Sequence, residues 1–254
     1  KQILTHECVR EKRVEVVDRK MKAMKCGSIF FLLLMGLIFS WPLSGAERLP
    51  VKGIVIIDPA HGGDDNGVKL SDNLYEKEIT LKIAQALQKE LQASGNTTVQ
   101  LTRTDDRDVP VAERIKTVRS AGARMLISLH VNAGFGKKAA GYEVYFPGFN
   151  TAPAGNGDAA GIVKDMEGNK HLNESVALAQ NVMRNLQNLF PRKERGLRDA
   201  PVPVLEGLNL PAVAVEIGFA TNPEDKKIIT DEKGQKTVAQ ALSKSVIEFL
   251  GHRN

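Results

Sequence analysis

The apolar positions of this chain change period several times, and each change marks an element. Residues 53–58, Gly-Ile-Val-Ile-Ile-Asp, form a short β-branched run of the kind that is buried on both faces of a sheet. The run enters Pro59-Ala-His61-Gly-Gly63, a tight loop. Between Glu76 and Leu91 the residues Ile79, Ile83, Ala86, Leu87 and Leu91 recur at helical spacing, and Gly95-Asn96 stops the helix. Residues 97–102 read as a second strand, 111–120 as a helix, 124–130 as a third strand, and 141–146 alternate like a fourth. Residues 147–170 are rich in Gly, Ala and Asn and read as a surface loop. An amphipathic helix over 173–190, a buried strand over 212–216 and a closing helix over 235–250 complete the series.

Strands alternating with helices predict a single three-layer α/β domain, a twisted and mostly parallel sheet of about six strands flanked by helices. Sites in such sheets form beyond the carboxyl ends of the strands. Three polar residues obey that rule: His61 follows the first strand, His130 ends the third, and Glu216 ends a late one.

Residues 1–46 stand apart from this pattern. Met21-Lys-Ala-Met-Lys25 is positive, residues 29–39 are apolar, and Ser44-Gly-Ala46 places small residues before Glu47. This is the three-part layout of a secretory signal peptide. The apolar run is shorter than the roughly 20 residues of a membrane-spanning helix, although an uncleaved anchor is the alternative. Cys26 precedes the apolar core, which disfavours a lipoprotein. Residues 1–20 are charged without apolar periodicity and fit an upstream start, with Met21 or Met24 as the natural one. The expected organisation is therefore an N-terminal extension and signal over 1–46 and one folded domain over 47–254, exported to the periplasm or cell-wall space.

Composition narrows the field. With 42% hydrophobic and 26% charged residues in 254, the chain is too apolar to be disordered. Its net charge of +5 is concentrated at the N-terminus: residues 1–46 hold 8 Lys/Arg and 4 Asp/Glu of the 35 and 30 in the whole, leaving 27 against 26. A nucleic-acid binder carries its basic surplus on the folded part, so nucleic acid is not an expected partner. Both cysteines, Cys8 and Cys26, lie in the leader, which leaves no thiolate ligand or disulfide for the domain.

Five histidines are present, and only His61 and His130 follow apolar strands that would hold an imidazole still. His6 is in the leader, and His171 and His252 sit in polar segments. Glu76 opens the first helix, where a strand-loop-helix unit could return it toward His61. Two imidazoles, one carboxylate and an open position make the usual catalytic zinc site. Singly, each has a plainer reading: a turn histidine, a strand-end histidine, an acidic residue favoured in a first helical turn. Glu216 ends an apolar strand, where an unpartnered carboxylate is costly, so a neighbouring metal or a buried salt bridge with Arg103 would account for it. No Cys nucleophile and no G-x-S-x-G elbow are present in the expected domain.

Asp58-Pro-Ala-His61-Gly-Gly63, Glu76, Leu101-Thr-Arg103, Ser128-Leu-His130-Val-Asn-Ala133, Gly141-Tyr-Glu-Val-Tyr145 and Val215-Glu216-Ile-Gly-Phe219-Ala-Thr-Asn222 come in a characteristic order. The chain resembles the zinc-dependent N-acetylmuramoyl-L-alanine amidases of the amidase-3 type over about residues 51–250. The resemblance implies Zn2+ held by His61, Glu76 and His130, Glu216 as the catalytic base, and peptidoglycan as the partner cut between N-acetylmuramic acid and L-alanine. Asn132 and Arg103 are candidate substrate-binding residues, with Arg103 and Arg114 open to a structural reading as well as a substrate-side one. Ala60 departs from the glycine usual in the family, which a methyl tolerates unless the backbone needs a positive φ. The region matching a long regulatory insert of some relatives, about 147–170, is short; Asp165 or Glu167 could reach toward zinc, but both read first as solvated loop charges. A non-catalytic wall-binding protein and a zinc peptidase or deacetylase acting on another wall bond remain the competing readings. A monomer is the default, and the need for an activator protein is open.

Overall fold

The computed structural model describes residues 53–95, 97–148, 159–190 and 196–251; the signal-like leader lies outside them. Fourteen elements follow one another. They are β1 (Ile54–Pro59), β2 (Lys69–Ser71), β3 (Leu74–Tyr75), α1 (Glu76–Ala93), β4 (Thr98–Leu101), α2 (Val111–Ser120), β5 (Ala123–Asn132) and β6 (Glu143–Pro147). After these come α3 (Ala159–Leu186), β7 (Leu197–Ala200), a 3-10 turn (Pro203–Leu205), β8 (Ala212–Phe219), α4 (Pro223–Thr230) and α5 (Glu232–Gly251).

Six strands make one sheet in the order β4-β1-β5-β8-β6-β7, and β2 pairs with β3 in a small hairpin. The pairs β4–β1, β1–β5, β5–β8 and β6–β7 are parallel, whereas β6 runs antiparallel to β8. This is the mostly parallel, helix-flanked sheet that the alternation of elements predicts.

Period-2 alternation sends the side chains of β1, β5 and β8 to two different environments. Val55, Ile57, Ile127, Leu129, Val213 and Val215 face α1, α3 and α5, where they meet Ile83, Leu87, Leu178, Val182, Val238 and Leu242. Each of these side chains is fully buried. Full burial of one such aliphatic group contributes about 1.5–3 kcal/mol, so this face carries most of the stability. The opposite face is smaller: Ile56, Leu126, Ala212 and Ala214 pack on Val118 of α2 and on Val204 and Leu205 of the 3-10 turn.

Several features differ from the expectation: β7 and the β2–β3 hairpin have no counterpart in it, and two helical segments differ as well. Residues 159–170, assigned to a loop, belong to the first half of α3. Gly161 and Gly168 gave that stretch a loop-like composition, yet residues 166–170 are exposed on a helix. The anchored second half, with Leu178, Ala179, Val182 and Leu186 buried, propagates helix back into it. Helix α4 has no counterpart in the expected elements, although Asn222-Pro223 is a helix-start signal: the Asn222 side chain accepts the Glu224 and Asp225 amides. Among the described residues no helix is long and apolar enough to cross a membrane.

Candidate active site

The carboxyl rim of the parallel strands gathers the titratable residues. β1 ends at Pro59 and the chain turns sharply, so that His61 adopts φ 61°, the only positive φ of a non-glycine among the described residues. Such a conformation is costly and persists only where the surroundings enforce it. Two buried arginines do so here. Arg103 donates to the carbonyls of Pro59 (3.0 Å), Ala60 (2.9 Å), Lys77 (2.8 Å) and Asp105 (3.0 Å). Arg114 donates to Pro59 O (2.7 Å), His61 O (2.8 Å) and the Asp58 carboxylate (2.8 Å). Ala60 keeps a negative φ, so its methyl meets no backbone objection.

The same contacts correct the assignment of Arg103 to substrate binding. Its exposure is 0%, and its guanidinium is spent on the loop backbone, so it is a brace beneath the site and has no surface to offer a ligand. Nor does it pair with Glu216, the partner that a buried salt bridge would have required.

Glu76 is the first residue of α1, and its helix start is fixed by the Glu78 carboxylate accepting the Tyr75 amide at 2.8 Å. The Glu76 carboxylate is itself buried and oriented by two backbone donors, Val68 N–H to Oε2 and Val131 N–H to Oε1, both at 2.9 Å. The second donor exists because β1 stops opposite Leu129, which leaves the next outward amide of β5 without a strand partner. Gly67 completes the fit: a Cβ there would lie 2.6 Å from both Glu76 Oε2 and His61 Cδ2, on a backbone with φ +63°.

Three donors converge on one point. His61 Nε2 and His130 Nδ1 lie 3.1 and 3.4 Å from Glu76 Oε1, and the three atoms are all within 4.8 Å of one another. A tetrahedral ion with bonds of about 2.0–2.1 Å separates its ligands by about 3.3 Å, so the set fits a candidate metal site with little adjustment. The two imidazoles meet edge to face, with centroids 5.7 Å apart.

Electrostatics follow from this crowding. Burial alone would depress the His61 imidazole, but hydrogen bonds and charge from Glu76 and Asp65 outweigh it and raise it to about 9. Burial works against the Glu76 carboxylate, yet its bonds to His130 and His61 hold it down at about 2. Glu216 behaves in the opposite way. Burial, opposed by the His130 charge and reinforced by the carboxylates of Glu76 and Glu143, pushes it up to about 7. Its Oε2 is buried with no hydrogen-bond partner among the described residues. In register it stands between His130 of β5 and Glu143 of β6.

The remaining candidates are placed as follows. Asn132 ends β5, and its Nδ2 donates to Glu143 Oε2 at 2.8 Å, so the amide is held next to Glu216. Tyr145 OH donates to the same Glu143 oxygen, and Arg198 of β7 lies 3.4 Å from the other. His171 lies on α3 against Glu174 at 3.1 Å, and Glu167 is exposed on the same helix. The side chain of Asp165, and His252, fall outside the described residues. Asp58, Asp65, Gly67, Ser128 and Glu143 have no role in the expected site. A signal was available for Asp58 and Ser128, since each shares the outward alternation phase of its strand that ends at the rim.

The comparisons with known proteins agree with this architecture. Residues 55–248 match the Amidase_3 family, described as N-acetylmuramoyl-L-alanine amidase. N-acetylmuramoyl-L-alanine amidase AmiC of Neisseria meningitidis is 28% identical over 233 residues, covering 82% of this chain and 55% of that protein. The chain thus spans about half the length of that relative, whereas it covers 95% of the Bacillus subtilis protein YqiI, at 28% identity over 86% of this chain. An N-acetylmuramoyl-L-alanine amidase from Clostridium difficile 630 superposes with a TM-score of 0.66 at 30% identity, covering 80% of this chain and 99% of that structure. With the profile spanning well over half of its residues, the chain belongs to the Amidase_3 family of N-acetylmuramoyl-L-alanine amidases.

Proposed function

We propose that this chain hydrolyses the amide between the lactyl group of N-acetylmuramic acid and L-alanine in peptidoglycan, with Zn2+ held by His61, Glu76 and His130 and with Glu216 as the proton carrier. The observation that carries the reading is the pairing of a two-imidazole, one-carboxylate donor set with an unpartnered carboxylate on the adjacent strand. Zinc, when bound, supplies a Lewis acid that lowers the pKa of water toward about 7 and stabilises negative charge on a carbonyl oxygen. Cysteine is absent from residues 47–254, so no thiol nucleophile competes with that chemistry.

The chain's own residues divide the remaining work. Glu216 Oε2, free of internal hydrogen bonds, takes the proton of the attacking water as the C–O bond forms and then gives it to the L-alanine nitrogen as the C–N bond breaks. Glu76, tied to the Val68 and Val131 amides, cannot rotate away from the two imidazoles. Asn132, tethered to Glu143, holds its amide at the same rim, where it would meet the scissile carbonyl or the peptide.

Export fits this chemistry, because the substrate lies outside the cytoplasmic membrane. The positive, apolar and small-residue segments of residues 21–46 support a cleaved signal ahead of a domain spanning residues 47–254. The test is a peptidoglycan digest with metal analysis. Wild-type protein is expected to release stem peptides beginning with L-alanine, seen by mass spectrometry. Glu216→Gln should keep its zinc and lose at least about 10²- to 10⁴-fold in turnover. Near-normal release by that variant would overturn its role, and acetate or shortened peptides would overturn the bond assignment.

A further inference from the structure

Beneath His130 lies a buried polar chain that the proposed chemistry does not use. Ser128 and His130 alternate on the same face of β5, and Ser128 Oγ stands 3.2 Å from His130 Nε2. On its other side Ser128 Oγ donates to Asp58 Oδ2 at 2.8 Å. Asp58 Oδ1 in turn accepts Thr102 Oγ1 at 2.5 Å and Arg114 Nη1 at 2.8 Å. Exposure is 0% for Ser128 and 1% for Asp58, so water does not share these bonds.

Proton counting gives the chain a direction. A serine hydroxyl has one hydrogen, and here Asp58, held as an acceptor by the Arg114 guanidinium, receives it. The Ser128 oxygen can then only accept from His130, which requires the hydrogen on Nε2. Nδ1 meets Glu76 Oε1 at 3.4 Å through a hydrogen; when a cation takes that hydrogen's place, the Nε2 hydrogen stays on Ser128 and the Nδ1 lone pair is the one that faces the ion. His61 is fixed in the complementary sense: its Nδ1 hydrogen is held by the acceptor-only Asp65 carboxylate at 2.7 Å, so a cation would displace the hydrogen that Nε2 shares with Glu76.

We propose that Asp58 and Ser128 are positioning residues that lock His130 in the Nε2–H tautomer and present its Nδ1 lone pair to the cation. The inference rests on the zinc reading of the site given above. It explains why a serine and an aspartate occupy the apolar strands β1 and β5 on the face that ends at the rim. A role confined to stitching β1, β4, α2 and β5 together would affect melting alone. The relay also affects which imidazole nitrogen is available to a ligand.

The experiment uses the zinc-loaded full chain and Ser128→Ala, a substitution that removes one oxygen and leaves room for the fold. Leu126→Ala, two residues earlier on the same face, serves as a control for packing alone. Zinc affinity is read by competition with a chromophoric chelator. The His130 Nε2–H is read by 15N-edited NMR as a slowly exchanging imidazole proton. Ser128→Ala is expected to weaken zinc binding by about 10- to 100-fold and to lose the exchange protection, whereas Leu126→Ala melts earlier and keeps both. A folded Ser128→Ala with zinc affinity within a factor of two of wild type would overturn the relay, as would a His130 proton found on Nδ1. If wild type itself takes up no zinc, the metal reading falls and the relay with it, a result distinct from equal binding by both proteins.

Discussion

The two faces of the central strands share a backbone and have opposite characters. On the face toward α1, α3 and α5, the alternating residues Val55, Ile57, Met125, Ile127, Leu129, Val131, Val213, Val215 and Ile217 are apolar from end to end. On the other face the same strands carry Ile56, Leu126 and Ala214 in their middle and then become Asp58, Ser128, His130 and Glu216 toward their carboxyl ends. One phase of the alternation holds the domain together. The other is apolar only as far as the small helix α2 and the 3-10 turn cover it, and it turns polar where the cover stops. Stability and chemistry are thus written in interleaved residues of the same strands, one position apart.

This division can be broken experimentally. The largest functional effect is expected on the polar phase: His61→Ala removes one of three donors, so zinc content and amide hydrolysis fall to background while the protein stays folded, as mass spectrometry and circular dichroism would show. On the apolar phase, Ile127→Ala should cost about 2–5 kcal/mol through the cavity it leaves. Its melting temperature drops on the order of 10 °C while each folded molecule retains zinc. Loss of zinc from folded Ile127→Ala would show that the phases are not separable. A smaller stability effect is expected at Gly67, where alanine costs on the order of 1 kcal/mol for its left-handed backbone and about 1 kcal/mol or more for crowding Glu76 and His61. The added Cβ must still displace Glu76 or His61, so chelator competition should register a change larger than the shift in melting would suggest.

Much of this arrangement was legible in the sequence because it rests on local patterns. The β-branched run of 53–58, the helical spacing from Ile79 to Leu91 and the apolar strand ending at His130 each declare an element without tertiary information. The convergence of His61, Glu76 and His130 could be anticipated from topology, since the loop after a parallel strand opens at the same rim. What escaped depended on partners remote in sequence. Arg103 looks like a substrate-facing cation until the carbonyls of Pro59, Ala60 and Lys77 are seen around it. Gly67 shows its purpose only against the two side chains it touches. The first half of α3 was hidden by its glycines, because its helicity comes from the packed half that follows.

The two guanidinium groups under the His61 loop have a consequence for local motion. Pro59, Ala60 and His61 all have their carbonyl oxygens engaged by Arg103 or Arg114, and the Ala60 amide donates to Leu129 O at 3.1 Å. Opening this segment by itself would strand buried cations without acceptors, an expensive event in a dry interior. The segment therefore has no cheap way to fray. Amide hydrogen exchange at Ala60 should proceed at the pace of the central strands, unlike the behaviour of an ordinary surface turn.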